Sequence, residues 1–100
     1  MLLSDLAQVI RSKNAGPRTL TLDVMFANDA DFQRVARSPA LGRGRIAALY
    51  RMPETDVTII PYAVGRAIKI VLARSVMAGD PGDVDVYGAQ QHAPLLGIEL

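Results

Sequence analysis

The residues best equipped for chemistry lie in one polar stretch between two apolar segments, residues 79–94. It contains His92, the only histidine of the chain, seven positions after Asp85. An imidazole exchanges protons near neutral pH, and a carboxylate held beside it can orient the ring. We therefore predict that His92 acts as a general acid or base and that Asp85 orients it. The alternative is a hydrogen-bonded structural histidine.

The same stretch also holds side chains suited to ligand binding. A segment this long without secondary structure is uncommon in a small domain and is usually functional or disordered. It contains no Ser, Lys or Glu, which argues for an ordered loop. Its candidate binding residues are Asp83, Tyr87, Gln90 and Gln91.

A metal site in this loop is an alternative use of its acidic residues. Asp80, Asp83 and Asp85 carry oxygen ligands of the kind that Ca²⁺ and Mg²⁺ prefer. However, the distal Glu of a calcium-binding loop is missing, and Asp-Pro-Gly-Asp is an ordinary turn sequence. We therefore expect no metal site.

A second candidate site precedes the first clear strand. Arg11, Ser12, Lys13, Asn14 and Gly16 bring cations, a hydroxyl and an amide together beside a flexible glycine. We interpret this segment as a polar turn closed by Gly-Pro, which could bind a phosphate or a carboxylate. The alternative is a solvated turn without a ligand.

Composition excludes several classes of function. The chain has 100 residues, no cysteine and a formal net charge of +1, so we expect no disulfide, no thiolate metal site and no nucleic-acid partner. No apolar run approaches the ~20 residues of a membrane span. We expect a soluble, cytoplasmic protein without a cofactor and without a membrane partner.

The elements that position these residues follow from hydrophobic spacing. Alternation predicts strands at residues 19–26 and 67–73, and a short apolar run predicts another at residues 57–60. Residues 95–100 could add a last strand. Residues 2–10 show helical spacing, although a strand with a turn remains open.

Two helices are predicted in the middle of the chain. The first begins at Asn28 or Asp29, ends at Ser38, and buries Phe32, Val35 and Ala36. The second covers about residues 42–51, with Ile46, Leu49 and Tyr50 turned inward. Five arginines load this region with positive charge, which we interpret as a solvated helix surface.

Strands on either side of a helical middle predict one α+β domain over residues 1–100. We expect a small ferredoxin-like sandwich, with a mainly antiparallel sheet and helices on one face.

The chain resembles an uncharacterised family of small bacterial proteins, a domain of unknown function (DUF4387). The resemblance is carried by residues 3–7, 11–17, 22–26 and above all 82–96. Members are typically found beside, or joined to, proteins similar to the acyclic terpene utilisation protein A.

That larger protein often ends in a ferredoxin-like domain opening with Leu-Ala-x-x-Arg-Ser-Gly-Asp-Lys-Gly. Residues 6–16 are similar, with one more residue before the arginine and with Lys13 and Asn14 replacing Gly and Asp. The resemblance implies that this chain is a stand-alone or companion version of that end domain.

Three functions remain open at this point. The first is an accessory subunit of such a larger catabolic protein, with self-association as a further expectation because an open sheet needs covering. The second is an autonomous enzyme for an organic acid or acyl thioester, with Arg11 and Lys13 binding the anion beside His92 and Asp85. The third is an anion sensor that orders the 79–94 loop.

Overall fold

The computed structural model describes residues 2–16, 18–73, 95 and 97–100. These residues form helices α1 (Leu3–Leu6), α2 (Asp29–Ala36) and α3 (Arg43–Leu49). The strands are β1 (Val9–Gly16), β2 (Thr19–Met25), β3 (Val57–Tyr62) and β4 (Ala67–Ala73). Short 3₁₀ turns cover Pro39–Leu41, Glu54–Asp56 and Ala63–Gly65. No helix in the described part of the chain is long and apolar enough to cross a membrane.

The four strands form one antiparallel sheet in the order β1-β2-β4-β3. Strand β4 lies between β2 and β3 and is antiparallel to both, so β2 and β3 run in the same direction around a helical connection. This split β-α-β unit is the central feature of a ferredoxin-like sandwich. The predicted α+β class is therefore confirmed. Strand β1, however, precedes this unit in the chain and forms a hairpin with β2.

One face of the sheet and the helices share the core. Alternate residues of β2 and β4 are almost completely buried, and the register pairs Leu22 with Ile70 at the centre. Phe32 and Val35 of α2 and Ile46 of α3 join the same cluster. The helices therefore cover this face, as predicted. We call it the core face and the opposite one the open face.

The prediction of a turn over residues 11–16 is wrong, because these residues lie within β1. Edge strands often carry charged side chains, which discourage pairing with other chains. Lys13 and Arg11 have this placement in β1 and made the segment look like a solvated turn. The turn begins later, since Gly16 already pairs with Thr19. Of the two readings of residues 2–10, the structure has a short helix followed by the start of this strand.

Helix α2 matches its prediction at the N-terminus. Asn28 caps it, because the Asn28 side chain accepts a hydrogen bond from the Asp31 backbone N–H at 2.8 Å. Phe32 and Val35 are buried as predicted, whereas Ala36 is exposed, so its predicted burial is wrong. An eight-residue helix buries only a narrow stripe, and Ala36 lies just beyond it.

Helix α3 ends two residues before the predicted limit of residue 51. Its C-terminus is a Schellman motif: the Arg51 N–H donates to the Ala48 carbonyl and the Met52 N–H to the Ala47 carbonyl. Arg51 takes the left-handed conformation that this motif requires, with φ of 56°. Ile46 is buried and Tyr50 half-buried, but Leu49 is 39% exposed, so its inward placement was wrong.

Strand β3 continues through Pro61 to Tyr62, two residues beyond its prediction. A proline lacks a backbone N–H, which an edge strand tolerates because only one of its sides is paired. At the C-terminal end, Glu99 forms an isolated antiparallel bridge with Leu2, and Leu95 is fully buried in the core. Among the described residues, the 95–100 segment adds no strand to the sheet.

Candidate functional site

A depression of about 440 Å³ lies on the open face of the sheet. All four strands contribute to it, because side chains of one parity in each strand point to the same face. Its lining is half charged and half apolar. The lining residues are Arg11, Lys13, Asp23, Met25, Ile60, Tyr62, Ala67 and Lys69.

Three cations line this depression. Arg11 and Lys13 come from β1, where a spacing of two residues places both on the open face. Lys69 comes from β4. The register joins them, since Arg11 pairs with Asp23 and Asp23 pairs with Lys69. Asp23 therefore lies on an inner strand, β2, with a cationic residue on either side.

An ion pair within this site joins Arg11 and Asp23. The Arg11 Nε lies 3.6 Å from the Asp23 Oδ2, which is longer than a good charge-assisted hydrogen bond. The Asp23 side chain is 12% exposed, whereas the Arg11 side chain is 57% exposed. The carboxylate is thus sheltered by the sheet, while much of the guanidinium remains accessible to a ligand.

The predicted binding residues of β1 separate onto two faces. Arg11 and Lys13 lie in the depression. Ser12 pairs with Leu22 on the core face and is 8% exposed, so its hydroxyl is not part of the same site. Asn14 pairs with Leu20, and Gly16 ends the strand opposite Thr19. The binding roles predicted for these five residues stay predictions.

The other predicted site residues lie outside the described part of the chain. They are the proposed catalytic pair His92 and Asp85 and the proposed binding residues Asp83, Tyr87, Gln90 and Gln91. Their roles stay predictions. Within the described residues, no group of three or more His, Asp or Glu side chains is placed to hold a metal ion.

Among the charged residues of this site, sequence reasoning missed Asp23 and Lys69. Both belong to strands that were identified correctly, and both fall on the face opposite the buried aliphatic side chains. The alternation of side chains along these strands therefore indicated that Asp23 and Lys69 face away from the core. The missing information was the pairing of β2 with β4, which places Lys69 beside Asp23.

The arginines of the helical middle do not form a comparable cluster with the sheet. Arg43 is structural: its Nε donates to the Val57 carbonyl at 3.0 Å and its Nη2 to the Glu54 carbonyl at 3.1 Å. These bonds hold α3 against the start of β3. Arg34, Arg37 and Arg45 are exposed, in agreement with a solvated helix surface.

A second depression, of about 450 Å³, lies between α3 and the C-terminal residues. Arg45 and Leu49 line one side, and Gly97, Ile98 and Glu99 the other. It offers one cationic and one acidic side chain, so its charges balance. It therefore has less attraction for a charged ligand than the depression on the sheet.

Comparison with known proteins gives a family but no described activity. No curated protein matches this chain, and no solved structure matches it. The match to a family model covers residues 3–99 and is described as Domain of unknown function (DUF4387). Since this match spans nearly the whole chain, the protein belongs to that family.

Proposed function

We propose that this protein binds a small organic anion in the depression on its open face. The observation that supports this is the gathering of Arg11, Lys13 and Lys69 around a single carboxylate, Asp23. Among the described lining residues, three positive charges against one negative charge give a net charge of +2. An anion placed among these cations would relieve their mutual repulsion and form charge-assisted hydrogen bonds.

The geometry allows the cations to act on one ligand. Strands β1 and β4 lie on either side of β2, so the backbones of Arg11 and Lys69 are about 10 Å apart. Long, flexible side chains on the same face can close that distance over a ligand centred on β2. Lys13 pairs with Thr21, one step along the strands, and extends the positive surface.

The test is a binding panel of phosphate, short carboxylates and acyl thioesters, measured by thermal shift and by calorimetry. Lys13→Gln and Lys69→Gln should each weaken binding at least about fivefold, because each removes one charge-assisted contact. Arg34→Gln is the matched control, since it removes an exposed cation from α2 instead of the sheet.

Asp23→Asn gives the opposite prediction. It removes the negative charge that the described residues contribute to the depression and frees Arg11 from its ion pair, so anion affinity should rise. Higher salt should weaken binding by screening these exposed charges. The proposal fails if no member of the panel binds, or if the lysine variants bind like the wild type.

A second candidate function, association with a larger protein, is favoured by apolar exposure at one end of the sheet. Tyr62 is 60% exposed and Val64, in the turn between β3 and β4, is 90% exposed. Clustered exposed apolar side chains often mark interaction surfaces. The proposed partner is a larger catabolic protein similar to the acyclic terpene utilisation protein A, and a second copy of this chain is the alternative.

Co-expression with a protein similar to the acyclic terpene utilisation protein A, followed by size-exclusion chromatography, tests this candidate. We expect a stoichiometric complex that Val64→Asp disrupts and Ala48→Asp, on the exposed side of α3, does not. Elution of the chain as a stable monomer in the presence of that protein would contradict the proposal. Elution as a homo-oligomer would instead support the second copy as partner.

The hypothesis that this chain is an enzyme is tested by a separate experiment. If His92 is the general acid or base, His92→Ala should lower the rate at least ~10²-fold on any organic acid or thioester that the chain turns over. An unchanged rate would end that hypothesis without affecting anion binding on the sheet.

A further inference from the structure

The open face contains two neighbouring rows of contrasting character. Cross-strand pairing aligns Val9, Met25, Ala67 and Tyr62, which we call the apolar row. One step along the strands, it aligns Arg11, Asp23, Lys69 and Ile60, which we call the charged row. Both rows cross all four strands of the sheet.

The dimensions of the rows follow from sheet geometry. Four strands spaced about 4.8 Å apart make each row about 14 Å long. Side chains two residues apart on a strand lie about 6.7 Å apart, which is the separation of the rows. A ligand of moderate size can therefore contact both rows at once.

The apolar row is partly exposed to solvent. Val9 is 38% exposed and Tyr62 is 60% exposed, while Met25 and Ala67 between them are half-buried. Ile60, at the end of the charged row, is 45% exposed and continues the apolar surface. An apolar group laid along this row would remove surface from water on both sides of the contact.

The charge of the charged row indicates what kind of anion fits. Lys13 lies one further step along the strands, outside this row, and raises the net charge of the described lining to +2. Within the row itself, Arg11 and Lys69 carry two positive charges and Asp23 carries one negative charge, so the row has a net charge of +1. One carboxylate neutralises that charge. Arg11 is already paired with the Asp23 carboxylate while more than half of its side chain stays exposed, which leaves N–H donors for a second carboxylate.

We infer that the ligand is an amphipathic monocarboxylate, with its carboxylate at the charged row and its hydrocarbon chain along the apolar row. This inference rests on the proposed anion-binding function and adds the ligand class. The occupant is a free, monomeric acid. A membrane surface is not required, since the row accommodates a single chain.

The experiment is calorimetric titration with butyrate, hexanoate, octanoate and decanoate, each kept below the concentration at which it forms micelles. Affinity should rise about twofold with each added methylene, because an open face buries roughly half of each group. Octanol, which has the chain without the charge, should bind at least about tenfold more weakly than octanoate, since it forms no charge-assisted hydrogen bond.

Two variants test whether the dependence of affinity on chain length comes from the apolar row. Tyr62→Ser should reduce the affinity for octanoate more than the affinity for butyrate. Thr58→Ser is the control, since Thr58 lies on the same strand and pairs with Val71 outside both rows. It should leave the dependence on chain length unchanged.

The remaining outcomes separate this inference from the function on which it rests. Equal affinity for every chain length would overturn the inference and leave anion binding in place. Octanol binding as tightly as octanoate would refute both the monocarboxylate and the anion requirement. Binding seen only with micelles or vesicles would overturn the free acid as the occupant, and no binding by any of these acids would overturn the inference outright.

Discussion

Leu22 shows how much a single side chain contributes to this fold. It has no exposed surface at the centre of β2, where it pairs with Ile70 and contacts the helix layer through the shared core. Leu22→Ala should lower the free energy of unfolding by about 2–5 kcal/mol, because the cavity it leaves is surrounded by a packed sheet. Urea denaturation measures the change.

Leu49→Ala is the matched control for that substitution. It makes the same chemical change at a side chain that is 39% exposed, on the outer part of α3. We expect a loss below about 1 kcal/mol there, as is usual for surface positions. Equal losses at the two positions would contradict the core described for this molecule.

Tyr50 gives the fold a dependence on alkaline pH. Burial raises the pKa of its phenol above the ordinary value, because the charged phenolate is poorly solvated there. Above about pH 10 the unfolded chain therefore loses this proton while the folded chain retains it. Stability should be unaffected by this group below that pH and should fall as the pH rises above it.

Stability measured against pH for two variants checks this prediction. Tyr50→Phe should flatten the alkaline decline, because the titrating group is gone. Tyr62→Phe, at a side chain that is 60% exposed, should leave the decline as steep as in the wild type. A decline that is identical in both variants would show that another group is responsible.

At the scale of elements, the ends of the helices are set by specific residues. Asn28 caps α2 through its side-chain oxygen, 2.8 Å from the Asp31 nitrogen. Asn28→Ala should cost about 1 kcal/mol of stability, because the Asp31 N–H loses this acceptor. Asn28→Ser keeps an acceptor and should restore most of the loss in thermal denaturation. If both variants were equally unstable, the cap would not be the cause.

The C-terminus of α3 predicts a stabilising substitution. Arg51 occupies the left-handed position of the Schellman motif, where glycine avoids the clash of a Cβ atom. Arg51→Gly should raise the free energy of unfolding by about 0.5–1 kcal/mol, the usual advantage of glycine at such a position. A decrease in stability would show that the arginine side chain contributes more than its backbone costs.

Arg66→Gly is the informative comparison. Arg66 also has a positive φ, of 49°, but its Nη1 donates to the Ala27 carbonyl at 3.0 Å. Arg66→Gly should therefore raise the free energy of unfolding less than Arg51→Gly does, or should lower it. The reason is that the relief of backbone strain is offset by the lost hydrogen bond. Thermal denaturation of the two variants side by side gives the difference directly.

On the scale of the whole molecule, one core joins the sheet and the three α-helices. Buried residues from α1, from the sheet and from both longer helices belong to a single cluster, together with Leu95 near the C-terminus. We therefore expect cooperative unfolding. Urea transitions followed by far-UV circular dichroism and by tyrosine fluorescence should coincide, and separated midpoints would contradict a single cooperative unit.

The local sequence was sufficient to predict the elements whose hydrophobic residues recur with a strong period. Strands β2 and β4 and helix α2 were predicted within one or two residues, because each buries one face and displays that face in its spacing. The arrangement of helices on one face of the sheet followed from the order of helices and strands along the chain. Local patterns failed where a segment was paired on one side only, as in β1 and at Pro61 of β3.

The sequence by itself determined the α+β class and the positions of Arg11 and Lys13 as neighbouring cations. Only the tertiary structure decided that these cations lie on a strand, point away from Ser12, and share a face with Asp23 and Lys69. The physical reason is that strand pairing joins residues far apart in the chain. Their proximity depends on backbone hydrogen bonds across the sheet, which leave no periodic trace in the local sequence.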